Sequence, residues 1–416
     1  MTKADHNSPR HKKPVMNNPK ALVIAPFCFP ASGGENIVAL KFLSTLMSKG
    51  YRLHVIQDVD GTMTLDPDEP ELFTELKRDC FSPMLPNSSS SVTQKLRILR
   101  WIHASINYGD QYIRKEKPDL IISRVMPVYG HVPALILSKR FDLPWIANWS
   151  DPAPVNLGPK PYGRGRERYF SMTKSILNRV VSQASHHTFP NQHLCDYMCS
   201  FYPGLVGKSS VIPHIAHTKL SPTTTTIDSP CFTFCHVGGL GLRSPRLFLE
   251  AIRKFLFENP EASINILFAG EKDPVVDEFS SFPDVGPVIH QLGRIPYIKS
   301  LTLLSESEVN VLIEANLDLG LFFPSKVTDF IQCNKPILSI SPKTGFMAEL
   351  LKDEKAGIAV DNTDISSIHN TIKYLYDLWK NGELKARFST ITLQDRFNED
   401  AVFESFNKIV KQVIHF

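Results

Sequence analysis

The chain has 416 residues, 42% of them hydrophobic and 21% charged, which excludes an intrinsically disordered protein and gives enough length for two or three domains. No run of about 18 apolar residues occurs, so no membrane-spanning helix is expected. Residues 1–20 lack the apolar segment of a secretory signal. Seven cysteines without framework spacing favour a reducing cytoplasm over a disulfide-stabilised secreted fold.

Positive charge is concentrated in the first half of the chain. Residues 1–225 hold 27 Lys and Arg against 17 Asp and Glu, whereas residues 226–416 hold 19 against 25. This asymmetry predicts that the first half binds an anionic partner. Such a partner could be an anionic acceptor or the inner face of a membrane, to which the protein would attach peripherally. No nucleic acid is expected, because no basic helix, zinc-ligand spacing or single-strand-binding aromatic motif accompanies the charge. Charge spread over solvated surfaces is the alternative.

Short apolar strands alternate with helical segments along nearly the whole chain, a pattern typical of doubly wound parallel α/β sheets. After a basic tail at 1–19, expected to be disordered, residues 20–220 are predicted to form a Rossmann-like domain. Its predicted strands lie at 21–26, 53–57, 119–123, 144–148, 186–190 and 209–213. Helical periodicity marks 35–49, 92–115 and 128–140, and the stretch 58–91, rich in Pro, Ser and Asp, is interpreted as an insertion.

A polar stretch at 221–230 interrupts this pattern. It holds four consecutive threonines between prolines, cannot build a core, and is therefore predicted to be a domain linker. The alternation restarts over 231–395, predicting a second Rossmann-like domain with strands at 232–237, 264–268, 288–292, 309–313, 336–340 and 357–360. Helices are predicted at 245–257 and 365–379. A last helix within 396–416 could pack back on the first domain.

Parallel sheets of this kind bind ligands beyond the carboxyl ends of their strands, where loops meet helix N-termini. Two such domains facing each other would hold a ligand in the cleft between them. The first loop of this type contains Gly33 and Gly34, which allow close backbone approach and could bind a phosphate at the N-terminus of the following helix. A plain strand-to-helix turn is the alternative. Neither a G-x-G-x-x-G fingerprint nor a Walker loop is present.

The loop at 238–243 opens the second domain in a similar way. Gly238 and Gly239 could let a diphosphate sit against backbone amides, with Arg243 neutralising its charge. A surface arginine is the alternative, but the helix dipole disfavours a cation at a helix N-terminus. That local conflict favours a functional interpretation.

A third loop leads into a helix that Pro324 and Ser325 are predicted to start. Lys326 falls in its first turn, which is unfavourable unless the lysine meets an anion. Asp329 lies one turn later on the same face. The two side chains would suit a phosphate and a ribose hydroxyl pair, and solvent-exposed helical charges are the alternative.

The stretch 324–338, P-S-K-V-T-D-F-I-Q-C-N-K-P-I-L, resembles the donor-binding helix of retaining family-4 glycosyltransferases, which have the GT-B fold of two facing Rossmann-like domains. Asp329 matches the glutamate that holds the nucleotide ribose in that family. The segments 238–243, 292–297 (L-G-R-I-P-Y) and 144–152 (P-W-I-A-N-W-S-D-P) resemble further elements of the family. The likeness covers about residues 20–351.

This resemblance implies an α/β GT-B glycosyltransferase that moves a sugar from a nucleotide-sugar donor to a hydroxyl of a glycan or lipid-linked acceptor. It implies retention of configuration, a role in cell-surface polysaccharide biosynthesis, a cytoplasmic location, and no metal ion or cofactor beyond the nucleotide-diphosphate sugar as co-substrate. The donor-binding residues it implies are Gly238, Gly239, Arg243, Arg294, Ile295, Lys326 and Asp329. The catalytic residues are Arg243, Lys326, Asp151 and His131, and the acceptor or phosphate loop contains Gly33 and Gly34.

Three positions depart from the family pattern. Leu321 stands eight residues before Asp329, where the family has a sugar-contacting glutamate, and Ser150 and Asn148 replace an arginine and an aspartate. Two other functions therefore stay open: a nucleotide-sugar epimerase of the same architecture, which needs acid/base carboxylates in the cleft, and a catalytically silent GT-B scaffold. If the enzyme inverts configuration, Asp151 is the candidate general base.

The basic loop 160–168 predicts contact with an anionic acceptor or lipid headgroups, with a solvated loop as the alternative. Replacing Arg164, Arg166 and Arg168 by Ser is expected to weaken binding to anionic liposomes more than binding of the donor, because each basic residue adds attraction to an anionic surface. Liposome co-sedimentation measures the effect, with neutral liposomes as the control. Equal sedimentation of the two proteins would refute the lipid contact.

Overall fold

The computed structural model describes residues 18–58, 69–83, 91–163, 171–222 and 231–414. Most of the predicted tail at 1–19, residues 223–230 of the predicted linker, and the three arginines of the basic loop lie outside these ranges. None of the helices within them combines the length and the apolar character needed to cross a bilayer.

The first half forms a parallel seven-stranded sheet. Its strands are β1 (Lys20–Ile24), β2 (Arg52–Ile56), β3 (Cys80–Phe81), β4 (Leu120–Val125), β5 (Trp145–Trp149), β6 (His186–Phe189) and β7 (Ser209–Val211). They lie in the order β3-β2-β1-β4-β5-β6-β7. The helices are α1 (Gly34–Ser48), α2 (Glu71–Arg78), α3 (Ser91–Glu116), α4 (His131–Phe141), α5 (Ser171–Gln183) and α6 (Gln192–Phe201).

The second half forms a parallel six-stranded sheet. Its strands are β8 (Phe232–Val237), β9 (Ile264–Ala269), β10 (Ile289–Gly293), β11 (Val309–Ile313), β12 (Ile337–Ser341) and β13 (Gly357–Asp361). Their order, β10-β9-β8-β11-β12-β13, is that of a Rossmann domain. The helices are α7 (Arg246–Glu258), α8 (Pro274–Ser280), α9 (Tyr297–Glu306), α10 (Ser325–Gln332), α11 (Phe346–Glu354), α12 (Ile365–Lys380), α13 (Leu384–Arg387), α14 (Ile391–Phe397) and α15 (Glu399–Ile414).

These two sheets confirm the predicted α/β class with two doubly wound parallel-sheet domains. Strands β4 and β8 are buried at every residue, which explains why they appear in the sequence as continuous apolar runs. The stretch interpreted as an insertion contains α2 and the two-residue edge strand β3 in its described part. Its Pro and Asp content concealed this helix, which is held by the buried side chains of Phe73 and Leu76.

The last helix, α15, follows the second domain in the chain but packs on α1 of the first. The rings of Phe406 and Phe42 meet edge to face at 4.9 Å, and Tyr51 Oη donates to Asn407 Oδ1 at 2.9 Å. A single hydrophobic cluster continues from α1 through α10 to α15. The two domains therefore share buried apolar surface at this contact.

A buried cation lies within the same interface. Lys41 on α1 is 1% exposed and extends to α10, where its Nζ contacts Asp329 Oδ1 at 2.7 Å, Thr328 Oγ1 at 2.9 Å and Gln332 Oε1 at 2.5 Å. Burial lowers the pKa of Lys41, while Asp329 acts in the opposite direction. The three oxygen ligands satisfy the ammonium group that the interface removes from water.

Replacing Lys41 by Met is expected to destabilise the protein by about 3 kcal/mol, because it leaves the Asp329 carboxylate buried without its counter-ion. Thermal unfolding measures the effect. The matched control is Lys49→Met, directly after the last residue of α1. Its partner Asp400 is largely exposed, so loss of this pair should change stability little. Equal unfolding temperatures for the two variants would show that the buried ion pair does not stabilise the interface.

Candidate active site

A cavity of about 410 Å³ lies between the two domains, where loops that follow their strands meet. Residues of both domains line it, among them Glu35, Ser150 and Asp151 of the first and Arg243, Glu314 and Ser325 of the second. A larger cavity of about 830 Å³ lies between α1, α2 and α9, but of the described residues that line it only Lys219 is basic. The interdomain cavity is the one that carries the charged groups expected of a nucleotide-sugar site.

The glycine turn after β8 lies directly beside Lys326. Gly238 has φ +86°, and a Cβ at this position would lie 3.4 Å from Lys326 Nζ, so the absence of a side chain lets the lysine approach the backbone. The Gly238 N–H donates to Ala269 O at 2.7 Å and is therefore not available to a ligand. Among the described residues, the Gly239 N–H has no such partner. Of the two backbone N–H groups predicted to bind a diphosphate, that of Gly239 is therefore the available one.

Lys326 is held by a histidine that sequence reasoning missed. Its Nζ lies 3.2 Å from His236 Nε2, while Nδ1 of the same ring lies 3.0 Å from Val311 O. Nδ1 must therefore donate to the carbonyl, which leaves Nε2 to accept from the lysine. Burial lowers the pKa of Lys326 to about 7, and repulsion by Arg243 acts in the same direction. Burial also holds the pKa of His236 well below its usual value, so this ring stays neutral.

Arg243 completes a pair of neighbouring cations. Its Nε donates to Tyr162 Oη at 3.2 Å and its Nη1 to Gly239 O at 3.2 Å. Among the described residues, Nη2 has no hydrogen-bond partner, so it can donate to a ligand. Two cations that repel each other beside a glycine turn are unfavourable in the free protein and become favourable when an anion binds between them.

Three carboxyl groups face the same cavity. Burial raises the pKa of Glu314 to about 7, although Arg243 and Lys326 oppose this shift. Burial also raises the pKa of Asp151 to about 6, with Arg243 again opposing. The pKa of Glu35 rises to about 7 through burial, against the nearby Arg124. Ser150 Oγ donates to Glu35 Oε1 at 2.7 Å.

Glu35 and Glu314 were not among the predicted site residues, although the sequence holds a signal for each. Glu314 directly follows a predicted strand, and Glu35 directly follows the glycines of the first loop. Residues at such positions lie at the carboxyl edge of a parallel sheet, where ligands bind. These positions in the sequence are enough to predict that Glu35 and Glu314 belong to the site, without any family pattern.

Asp329, predicted to hold a ribose, is engaged elsewhere. It is 7% exposed, and its Oδ1 accepts both from Lys41 Nζ and from Tyr297 Oη, each at 2.7 Å. It does not line the interdomain cavity. Asp329 lies one helical turn after Lys326, but its ion-pair partner, Lys41, belongs to the first domain. Asp329 therefore stabilises the contact between the two domains.

His131 is likewise not brought to the cavity. It is fully buried in the core of the first domain, with Nδ1 at 2.7 Å from Ser123 Oγ and its ring 4.6 Å from that of Trp149. Burial lowers its pKa to about 3, so the ring is neutral. In this arrangement it has no contact with the cavity, and it packs between aromatic side chains.

The other predicted residues border the site. Arg294 forms an exposed ion pair with Glu271, whose Oε2 would lie 3.9 Å from a Cβ at Gly239. Ile295 is half-buried and packs against the shared hydrophobic cluster. A Cβ at Gly34 would lie 2.3 Å from Ser325 Oγ, so the first-domain glycine loop and the start of α10 touch across the cavity. Gly33 precedes α1 with φ +87°.

No group of three His, Cys, Asp or Glu side chains within the described ranges could hold a metal ion. Charged side chains of both domains line the cavity. On the second-domain side these are Arg243 and Glu314, with Lys326 beside the adjoining glycine turn, and on the first-domain side they are Glu35 and Asp151.

The fold is shared with several proteins of known structure. Sucrose-phosphate synthase from Thermosynechococcus elongatus matches over 95% of this chain and 98% of its own, with a TM-score of 0.69 and 15% identity. HepE from Anabaena, solved in complex with UDP-glucose, matches over 94% and 99%, with a TM-score of 0.64 and 14% identity. A UDP-N-acetylglucosamine 2-epimerase matches over 89% and 91%, with a TM-score of 0.55 and 12% identity.

Identities this low show a common fold and leave the activity to be argued from the site. The architecture is GT-B, two Rossmann-like domains facing a cleft, as the sequence predicted. No protein-family model and no curated protein sequence matches the chain.

Proposed function

We propose that the protein is a glycosyltransferase that moves a sugar from a nucleotide-sugar donor, bound by the second domain, to an acceptor hydroxyl in the cleft. The observation that carries this proposal is the convergence of Arg243 and Lys326 beside Gly238 and Gly239. A cation pair at a glycine turn fits the diphosphate of such a donor. The GT-B fold, which the chain shares with sucrose-phosphate synthase and HepE, supports the same function by analogy.

In the transfer step the bond between the anomeric carbon and the diphosphate oxygen breaks, and a bond to the acceptor oxygen forms. Negative charge then develops on the departing diphosphate, and Arg243, Lys326 and the Gly239 N–H would stabilise it. These cations would supply the charge that a metal ion supplies in other transferases. The family resemblance supports retention, in which the leaving phosphate accepts the acceptor proton and Asp151 orients the acceptor.

We place the acceptor among glycans or lipid-linked glycans of cell-surface polysaccharide synthesis, on the strength of the same resemblance. The basic excess of residues 1–225 supports an acceptor or membrane surface of negative charge on the side of the first domain, consistent with peripheral attachment in the cytoplasm. If the reaction inverts configuration, Asp151, which lines the cavity, is the group placed to act as general base.

Release of nucleoside diphosphate from a panel of nucleotide sugars, with and without an extract of lipid-linked glycans, tests the transferase. Release that depends on the extract is expected, because transfer frees the diphosphate only when an acceptor hydroxyl takes the sugar. Binding of nucleotide sugars without turnover would contradict a transferase and favour a silent GT-B scaffold.

A nucleotide-sugar epimerase is the second candidate, and the cavity carboxyl groups favour it. An epimerase needs acid and base groups near the sugar, and Glu35, Asp151 and Glu314 have pKa values of about 7, 6 and 7. The fold of a UDP-N-acetylglucosamine 2-epimerase is also shared. Conversion of one nucleotide sugar into its epimer without acceptor, followed by NMR, would establish this activity in place of transfer.

Lys326→Ala is expected to lower turnover by about 100-fold or more, because it removes a charge that stabilises the leaving diphosphate, while the fold stays intact. Nucleoside diphosphate release measures the loss, and circular dichroism checks the fold. Lys373→Ala, on the exposed face of α12, is the matched control and should keep full activity. Near-normal rates in Lys326→Ala would remove this lysine from the mechanism.

Donor binding is expected to weaken as the pH rises above 7. The pKa of Lys326 is about 7 in the free protein, and a bound diphosphate raises it, so binding takes up a proton. The Kd of a nucleotide sugar, measured by calorimetry from pH 6 to 9, should therefore increase above pH 7 by up to about tenfold per unit.

Lys326→Arg is the control for this titration, because a guanidinium keeps its charge throughout the range. This substitution should remove most of the pH dependence of the Kd. Glu314 and Asp151 also lose protons near this pH, and their negative charge accounts for the remainder. A Kd that is independent of pH in the wild-type protein would show that Lys326 does not meet the diphosphate.

A further inference from the structure

Glu314 is a buried carboxyl group that the proposed transfer step does not use. Its side chain lines the interdomain cavity, the residue is only 6% exposed, and Oε2 has no hydrogen-bond partner among the described residues. A buried carboxylate oxygen without a partner is unfavourable, and such an atom in a native cavity calls for an explanation. A ligand that donates a hydrogen bond to it provides one.

The backbone fixes the position of this side chain. Glu314 follows β11, and its N–H donates to Ile340 O of the neighbouring strand β12 at 2.9 Å. Asn362 Nδ2 donates to the carbonyl oxygens of Glu314 and Ala315, at 3.2 and 3.0 Å. Glu314 is thus held on rigid elements at the carboxyl edge of the sheet, which specific recognition of a ligand requires.

The nature of the ligand group follows from the charges around Glu314. Arg243 lines the same cavity as Glu314, and its Nη1 donates to Gly239 O, next to Gly238, beside which Lys326 Nζ lies. When the donor binds, its diphosphate takes the two cations, and phosphate oxygens cannot donate to a carboxylate. The part of the donor that remains to face Oε2 is the sugar, whose hydroxyl groups are donors.

We infer that Glu314 contacts the hydroxyl groups of the donor sugar and thereby selects a neutral sugar over an acidic one. This inference rests on the proposed function. A hexuronic acid would bring a second carboxylate close to Glu314, and two like charges in a partly desolvated site repel strongly. A neutral hexose offers hydroxyl donors at the same place.

Calorimetry with matched ligands tests this assignment at pH 8.5, where the carboxyl group of Glu314, with a pKa of about 7, is ionised. Free UDP, GDP, ADP and dTDP are first titrated into the wild-type protein to find the nucleotide it binds. The hexose and the hexuronic acid esters of that nucleotide, such as UDP-glucose and UDP-glucuronic acid, are then compared in the wild-type protein and in Glu314→Gln. The near-isosteric amide removes the charge and retains the shape.

The wild-type protein is expected to bind the hexose ester about tenfold tighter or more than the hexuronic acid ester. In Glu314→Gln the two affinities should agree within about threefold. The control Glu308→Gln should keep the wild-type preference. Glu308 precedes β11, does not line the interdomain cavity, and its Oε2 accepts from Thr233 N at 2.8 Å. Because each preference is a ratio of two affinities of one preparation, an unfolded fraction does not alter it.

Two results would overturn the assignment while leaving the proposed function in place: equal wild-type affinities for the two esters, or an unchanged preference in Glu314→Gln. Failure of all four free nucleotides to bind the wild-type protein would instead overturn the proposed function, and the inference with it.

Discussion

The ammonium group of Lys41 joins the two domains at α10, and the rest of the site depends on this contact. It extends from α1 into the second domain and binds Thr328, Asp329 and Gln332 on one face of a helix of only eight residues. The other end of the same short helix carries Ser325, at the cavity, and Lys326, beside the glycine turn. The contact that sets the domain arrangement therefore also positions the cation that would meet the donor.

The charges of the cavity are divided between its walls. On the second-domain side, Arg243 lines the cavity and Lys326 lies beside the glycine turn, and the repulsion between these two cations is only partly offset by Glu314. On the first-domain wall, Glu35 and Asp151 carry carboxyl groups whose pKa values are raised by burial. A ligand with an anionic diphosphate at one end and hydroxyl groups at the other would suit both sides. The diphosphate would offset the repulsion between the cations, and the hydroxyl groups would donate hydrogen bonds to the carboxyl groups. Nucleotide sugars have this distribution of charge.

The sequence predicted those features whose physical cause is local. Strands buried on both faces appear as apolar runs, so both sheets could be located before the structure was known. Arg243 and Lys326 could be predicted because a cation at a helix N-terminus conflicts with the helix dipole, which is visible within a few residues. The glycine turn was also visible within a few residues, but the hydrogen bond from the Gly238 N–H to Ala269 O was not.

The features that depend on distant contacts could not be predicted in this way. Asp329 has the correct spacing for a ribose ligand, but its partner Lys41 is 288 residues away in the chain. His131 matched a family position, whereas its aromatic neighbours come from β5 and bury it completely. Glu314 matched no family position, and its importance becomes visible only when its unpartnered oxygen is seen in the cavity.

A structure of the protein with a bound nucleotide sugar tests the central claim most directly. We expect the diphosphate oxygens to lie within hydrogen-bond distance of Lys326 Nζ, the Arg243 guanidinium and the Gly239 N–H. A nucleotide sugar bound with its diphosphate away from these three groups would contradict it.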